Sequence, residues 1–136
     1  MSIERVVRIN LPKILDERGN LSFLEGNVHI PFEIKRAYWI YDVPGGEERG
    51  GHSYFTNQEF IIALSGSFDV ILDDGRIQKT FTLNRSYYGL YVPSGIWRQM
   101  NNFSTNSLAF VIASTEFNEN DYERDFDRFK KNGKRI

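Results

Sequence analysis

The feature that most constrains the fold is the stretch from residue 50 to residue 66, GGHSYFTNQEFIIALSG. A glycine pair leads into an alternating segment, an apolar run and a second glycine turn. Side chains alternate between the two faces of a strand, so His52 and Tyr54 point to the same side. Glu59 lies an odd number of positions from both and needs a turn or a bulge to return to that side. If it returns, one pocket holds an imidazole, a phenol and a carboxylate.

The composition favours a β protein. The chain has 136 residues, which suits one domain over residues 1–136 with a core of its own. Apolar residues make up 40% of the sequence and aromatic residues 15%. Aromatic and β-branched side chains favour pleated, half-buried surfaces, so this composition favours strands over helices.

Charge, cysteine content and hydropathy exclude several classes of protein. The net charge of −1 argues against a nucleic-acid-binding protein, which would usually have a basic face. The absence of cysteine excludes disulfides and thiolate metal sites. Because no apolar run approaches membrane-spanning length and the N-terminus lacks a signal-peptide core, we expect a cytoplasmic protein without a membrane partner.

Short strand-like segments follow one another at even spacing along the chain. Gly75 ends a strong hairpin signal, Asp-Asp-Gly. Such a series predicts an all-β sandwich or barrel. The predicted strands cover residues 2–15 with a bend at Pro12, then 21–24, 34–41, 52–54, 60–64, 68–72, 76–83, 87–92, 96–100 and 107–114.

The C-terminal segment has a different pattern. Residues 120–131 are charged and place Tyr122, Phe126 and Phe129 at helical spacing. This periodicity predicts one helix lying on the barrel.

Residues 50–66 resemble the first motif of the cupin barrels, which consists of Gly, His-x-His, a short gap, Glu, six residues and Gly. His52, Glu59 and Gly66 match this motif, and Tyr54 stands where the second His belongs. The resemblance implies an all-β cupin fold, a double-stranded β-helix or jelly-roll barrel, here with a short C-terminal helix.

A second cupin motif follows in the expected order. It consists of Pro-x-Gly, two residues, His, three residues and Asn. The frame from Pro93 to Asn102 is kept, and Arg98 replaces the His. Because arginine cannot ligate a metal and repels a divalent cation, we expect neither a metal nor a cofactor.

Nine further stretches carry a more specific resemblance. They are DERGNL (16–21), PFEIKR (31–36) with Tyr38, IYDVP (40–44), ERGGH (48–52), LSGS (64–67), LDDG (72–75), GLYVP (89–93), WR (97–98) and DYxRD (121–125). In these stretches the chain resembles one cupin branch, the dTDP-4-oxo-6-deoxy-D-glucose 3,4-ketoisomerases, also called FdtA-like or WxcM-like proteins. The resemblance implies a metal-independent isomerase that moves a carbonyl between C4 and C3 of a dTDP-linked 4-oxo-6-deoxyhexose. It also implies a role in making 3-amino-3,6-dideoxy sugars for bacterial surface polysaccharides.

The resemblance also implies roles for individual residues. We expect His52 to act as the base, Tyr54 to relay or donate a proton, and Arg98 to stabilise the enediolate. Aromatic side chains would stack on thymine, and Arg18 or Arg36 would contact the diphosphate. The residues expected to bind the substrate are Arg18, Arg36, Tyr38, Glu59 and Trp97.

Structural roles compete with these assignments. His52 can be an ordinary structural histidine, Tyr54 a lining aromatic, and Glu59 the partner of Arg98 in an internal ion pair. Arg18 and Arg36 can simply be solvated.

The loss of the second His leaves two further functions open. One is a catalytically impaired sugar-nucleotide-binding protein, and the other is an epimerase acting on a related 4-oxo sugar nucleotide.

We also expect a homodimer with N-terminal strand exchange. A strand bent at Pro12, exchanged with a partner, would cover an open sheet edge, and the family resemblance favours the same assembly.

Overall fold

A computed structural model describes residues 2–133, so both ends of the predicted domain 1–136, Met1 and residues 134–136, lie outside the described residues. The strands are β1 (Val7–Asn10), β2 (Lys13–Ile14), β3 (Leu21–Ser22), β4 (Arg36–Tyr41), β5 (Arg49–Tyr54), β6 (Glu59–Ser65), β7 (Phe68–Asp73), β8 (Gln78–Leu83), β9 (Tyr88–Val92), β10 (Trp97–Asn101), β11 (Leu108–Ala113) and β12 (Tyr122–Glu123), and the helix is α1 (Phe126–Gly133).

Two five-stranded antiparallel sheets form the body of the protein. The first has the order β1-β9-β6-β11-β4 and the second β12-β5-β10-β7-β8, while β2 and β3 form a small separate hairpin. The predicted all-β architecture with a short C-terminal helix is confirmed. The two sheets are not joined into a closed barrel. Among residues 2–133, no helix is long and apolar enough to cross a membrane.

Strand β6 explains why an apolar run follows Glu59. Ile61 and Ala63 belong to the main core, which takes residues from both sheets. Phe60 and Ile62 lie on the opposite face of β6, in a second apolar cluster with residues of the N-terminal segment. Because β6 is buried on both faces, its sequence is continuously apolar instead of alternating.

The glycine pair before His52 shapes β5. Gly50 and Gly51 have φ angles of +95° and +80°, which side-chain-bearing residues rarely adopt. A Cβ atom on Gly50 would lie 3.1 Å from the backbone oxygen of Arg98. The β5–β10 register shifts at this point, and beyond the shift His52 is the direct cross-strand partner of Arg98.

The helix prediction for residues 120–131 is wrong at its start. Helix α1 begins at Phe126, and Tyr122 lies instead on β12, which pairs with β5. The carboxylate of Asp121 accepts hydrogen bonds from the backbone amides of Thr56 and Asn57, at 2.9 and 3.0 Å. These tertiary bonds hold the segment extended against β5, and they outweigh its local helical periodicity.

The strand predicted over residues 2–15 is wrong in its extent. A short 3-10 helix (Ile3–Arg5) comes first, and the strand after it is divided into β1 and β2, which belong to different sheets. Strand β1 lies at the edge of the first sheet and pairs with β9 of the same chain, Val7 opposite Tyr91. Pro12 separates β1 from β2, where a missing amide hydrogen costs no ladder bond.

Candidate active site

A cavity of about 570 Å³ lies between the two sheets, where the edge strand β4 of one faces β5 and β10 of the other. The C-terminal segment before α1 completes its wall. The lining residues are Arg36, Tyr38, Trp39, Ile40, Glu48, Arg49, Gly50, His52, Tyr54, Arg98, Met100, Phe117, Tyr122 and Arg124.

His52 has one ring nitrogen free within this wall. Its Nε2 is buried and has no hydrogen-bond partner among residues 2–133. The backbone of Gly50 acts on the imidazole in the sense that favours its protonated form. A neutral imidazole carries a lone pair on one ring nitrogen, and the unpartnered Nε2 is free to be that nitrogen.

The surroundings of His52 keep its imidazole neutral. Burial, followed by the positive charges of Arg98 and Arg124, lowers the pKa of His52 to about 3. The backbone of Gly50 acts in the opposite direction and is the smaller effect. The imidazole is therefore unprotonated at neutral pH, which is the state that a general base requires.

This shift predicts an unusual pH profile. In the free protein, kcat/KM should stay level as the pH falls from about 8 to about 5, because His52 does not take up a proton near its ordinary pKa of ~6.5. The check is kcat/KM across this range, together with an NMR titration of the His52 ring. An activity loss centred near pH ~6.5, matched by titration of the ring, would contradict the buried neutral imidazole.

Tyr54 lines the cavity and is 2% exposed. Its ring centroid is 4.8 Å from that of His52, and the Arg98 guanidinium carbon is 4.9 Å from the same ring. Its hydroxyl lies 3.3 Å from that of Tyr122. Burial, the negative charge of Glu59 and the bond to Tyr122 raise the pKa of Tyr54 far above its ordinary value. Tyr54 therefore keeps its proton and cannot act as a base near neutral pH.

A buried ion pair supports the wall from beneath. Arg98 Nη1 donates to Glu59 Oε1 at 2.8 Å, and Tyr38 Oη donates to Glu59 Oε2 at 2.6 Å. Arg98 is 1% exposed and Glu59 is 0% exposed. Arg98 Nη2 also donates to the Ile96 carbonyl. The Nε of Arg98 has no hydrogen-bond partner among the described residues. Glu59 thus returns to the side of His52 and Tyr54, but it lies under the cavity lining.

The groups around Glu59 do not suit the binding of a metal cation. The guanidinium of Arg98 occupies one oxygen of Glu59 and the phenol of Tyr38 the other. Over residues 2–133, no group of three His, Cys, Asp or Glu side chains lies close enough to hold a metal ion.

The structure brings six of the eight sequence-predicted site residues to the cavity or directly beneath it. His52, Tyr54, Arg98, Arg36 and Tyr38 line it, and Glu59 supports it.

The other two lie elsewhere. Arg18 is on the turn before β3, where its exposed side chain bonds to Asp16 at 2.9 Å. Trp97 is buried against α1, 5.1 Å from the ring of Phe126 and 5.6 Å from that of Phe129.

Sequence reasoning did not select several residues that line the cavity, among them Arg49, Phe117, Tyr122 and Arg124. Arg49 directly precedes the glycine pair that leads to His52, and this position in the sequence could have indicated that it lies near the site. Tyr122 and Arg124 lie within a family-like stretch whose periodicity indicated a helix. With Arg36 and Arg98, the arginines outnumber the one carboxylate of the described lining, that of Glu48, which suits an anionic ligand.

The chain matches known proteins over nearly its full length. The family model FdtA: WxcM-like, C-terminal matches residues 4–134. The TDP-4-oxo-6-deoxy-alpha-D-glucose-3,4-oxoisomerase of Aneurinibacillus thermoaerophilus is 45% identical over 123 residues, which cover 90% of this chain and 88% of that protein.

Solved structures are similar over the same extent. A 3,4-ketoisomerase from Helicobacter canadensis has a TM-score of 0.92 and 40% identity, covering 95% of this chain and 97% of its own. A mutant of the 3,4-ketoisomerase QdtA from Thermoanaerobacterium thermosaccharolyticum, in complex with TDP-4-keto-6-deoxyglucose, has a TM-score of 0.95 and 33% identity, covering 98% and 97%. This likeness confirms the predicted cupin-type fold. With the family model matching nearly the whole chain, the chain belongs to the FdtA (WxcM-like, C-terminal) family.

Proposed function

We propose that this chain is a 3,4-ketoisomerase that converts dTDP-4-oxo-6-deoxyglucose into the 3-oxo isomer. The observation that carries the proposal is the free Nε2 of a neutral His52, set in the wall of a cavity lined by arginines. The 45% identical relative is named for this reaction. The 3-oxo product would supply 3-amino-3,6-dideoxy sugars for surface polysaccharides, such as the O-antigen of lipopolysaccharide.

The reaction needs two proton transfers through an enediol. His52 Nε2 takes the proton from C3, which the neighbouring carbonyl acidifies, and the C–H electron pair forms the C3–C4 double bond. The C4 carbonyl oxygen takes up the negative charge, and the hydroxyl proton crosses from O3 to O4. His52 then returns its proton to C4, which leaves the carbonyl at C3. Arg98, fixed by Glu59, stabilises the enediolate charge without having to reorganise.

Substrate binding follows from the remaining lining residues. Arg36, Arg49 and Arg124 line the cavity and would bind the diphosphate, since guanidinium groups donate two parallel bonds to phosphate oxygens. Phe117 offers an exposed ring on which thymine can stack.

The other expected binding residues have indirect roles. Tyr38 and Glu59 hold Arg98 in place, and Trp97 anchors α1. Arg18 would take part through the dimer, because it lies on the N-terminal segment that we expect to be exchanged.

We propose that the reaction uses neither a metal nor a cofactor. An enediol isomerisation only moves protons, and the charge of Arg98 stands where a cupin metal ligand would otherwise be. Activity should therefore survive dialysis against a chelator.

The proposal is tested in deuterated water. The protein is incubated with dTDP-4-oxo-6-deoxyglucose, and the sugar is followed by NMR. Deuterium at C4 of a 3-oxo product identifies the isomerase. Exchange at C5 would identify an epimerase instead, and tight dTDP binding without any exchange would identify a binding protein that has lost the chemistry.

We further propose a homodimer with N-terminal strand exchange, in the cytoplasm. The support is a group of exposed apolar side chains on and beside the N-terminal segment. Leu15 and Leu64 line a groove of about 320 Å³ beside the β2–β3 hairpin. Apolar patches of this kind mark protein interfaces. The exposed members are Val7, Ile14, Leu15, Leu21, Phe23, Val28 and Leu64.

Light scattering at micromolar concentration should give twice the chain mass. Leu15, which is 73% exposed, becomes a buried charge in the dimer when replaced by lysine, so Leu15→Lys should produce monomers. Ile77→Lys is the matched control, because Ile77 is 53% exposed in the turn between β7 and β8. A monomeric wild type would contradict the proposal.

Strand exchange has its own test because the chain has no cysteine. Val7 and Tyr91 are cross-strand partners, so a Val7→Cys/Tyr91→Cys variant can form a disulfide between β1 and β9. If the strand is exchanged, the oxidised protein runs as a covalent dimer on a non-reducing gel. A disulfide within one chain would show that β1 stays with its own β9.

A further inference from the structure

The two-residue strand β12 brings Tyr122 into the cavity wall opposite Tyr54. Hydrogen bonds between Asp121 and residues 55–57 hold Tyr122 in this position. The amide of Phe55 donates to the Asp121 carbonyl at 3.0 Å, and the Asp121 carboxylate accepts from the amides of Thr56 and Asn57. These bonds tie the C-terminal segment to the turn that follows β5, so the tertiary structure itself holds Tyr122 in the cavity wall.

The Tyr122 ring is packed on several sides. Its centroid lies 5.0 Å from that of His52 and 4.6 Å from that of Tyr54. The guanidinium carbon of Arg124 lies 4.2 Å from the ring centre. Tyr122 is partly exposed, whereas Tyr54 is 2% exposed. Of the two phenols near His52, Tyr122 is therefore the one that a ligand in the cavity can reach.

The bond between the two phenols has a direction. The hydroxyl of Tyr54 donates to that of Tyr122 at 3.3 Å. A phenol oxygen that accepts one bond can still donate its own proton. Among the described residues, no acceptor takes the proton of Tyr122. That donor is free for a ligand.

We propose that Tyr122 supplies the phenolic hydrogen bond to the sugar in this site, and that Tyr54, which stands where the family has its second His, is a positioning residue that orients Tyr122. The proposal rests on the proposed isomerase function and names a further substrate-binding residue for it. A hydrogen-bond donor beside the base suits the reaction, because the C4 oxygen of the sugar gains negative charge in the enediolate. His52 would then move the proton while Tyr122 holds the oxygen.

The test compares Tyr122→Phe and Tyr54→Phe with Tyr41→Phe as the control, since Tyr41 is exposed and does not line the cavity. Affinities for dTDP-glucose and for dTDP are measured by calorimetry. Tyr122→Phe should weaken dTDP-glucose binding about 2- to 12-fold and leave dTDP binding unchanged, the loss expected for one neutral hydrogen bond. It should lower kcat by ~10²-fold, as for other donors to a developing oxyanion. Tyr54→Phe should cost less in both measurements.

The two readouts separate this inference from the proposed function. If the wild type turns over and Tyr122→Phe matches it in kcat and in the ratio of the two affinities, the inference is overturned and the isomerase assignment stands. If the wild type lacks activity but Tyr122→Phe selectively loses dTDP-glucose affinity, the function is overturned and the sugar contact stands. An equal loss of both ligands, or a larger loss in Tyr54→Phe, also overturns the inference.

Discussion

Replacing His52 with asparagine should abolish isomerisation and leave dTDP binding intact. The imidazole is the group in the described wall that is both neutral and able to accept a proton through Nε2, while Tyr54 keeps its proton. A general base is typically worth ~10²–10⁴ in rate, and here the same base serves both proton transfers, so the loss should reach the upper part of that range. The measurement is kcat by NMR of the sugar, with dTDP affinity measured in parallel.

His29→Asn is the matched control for this experiment. The chain has 2 histidines, and His29 lies in a loop where its Nδ1 accepts a bond from the Glu25 amide. This variant should keep wild-type turnover. Retained turnover in His52→Asn would mean that the base lies elsewhere in the cavity and that the mechanism proposed above is wrong.

The second large effect concerns stability. Arg98→Met should lower the free energy of unfolding by about 3–5 kcal/mol, because it leaves the carboxylate of Glu59 buried without its ionic partner. Glu59 is 0% exposed, so water cannot replace the lost bond. The measurement is urea unfolding at neutral pH. Turnover should fall as well, since the enediolate loses its positive neighbour.

Two companion variants make this result interpretable. Lys35→Gln breaks an exposed ion pair with Glu33 and should cost less than about 1 kcal/mol. The double variant Arg98→Met/Glu59→Gln removes both charges and should recover part of the stability lost in Arg98→Met. If Arg98→Met costs no more than Lys35→Gln, the buried pair does not contribute to stability as the geometry indicates.

The strand periodicity was enough to predict part of the site. His52 and Tyr54 are two residues apart on one strand, and both line the cavity. That prediction holds because a strand repeats every two residues whatever it packs against. The succession of short strands with glycine turns likewise predicted an all-β architecture, because turn chemistry and alternation are local properties.

The position of Glu59 could not be obtained in this way. Because Glu59 lies an odd number of positions from His52, it could point to the same side as His52 or to the opposite side. The choice depends on how the chain crosses from β5 in one sheet to β6 in the other. The crossing is set by hydrogen bonds from residues 56 and 57 to the distant Asp121. Contacts between residues more than sixty positions apart leave no mark in a local pattern.

The C-terminal segment shows the same limit more sharply. Residues 120–131 have helical spacing of apolar side chains, yet Tyr122 is on a strand of two residues that exists through its pairing with β5. A strand that short has no period of its own. Trp97 is a further case, since its strand was predictable but its packing against α1 was not.

Local chemistry thus determined the strands, the turns and the shared face of His52 and Tyr54, because alternation and glycine conformations act within a few residues. The burial of Arg98 with Glu59, the free Nε2 of His52 and the approach of Tyr122 depend on contacts between both sheets and the C-terminal segment. Burial and unpaired donors are properties of a packed assembly, and they come into existence when distant segments exclude water together.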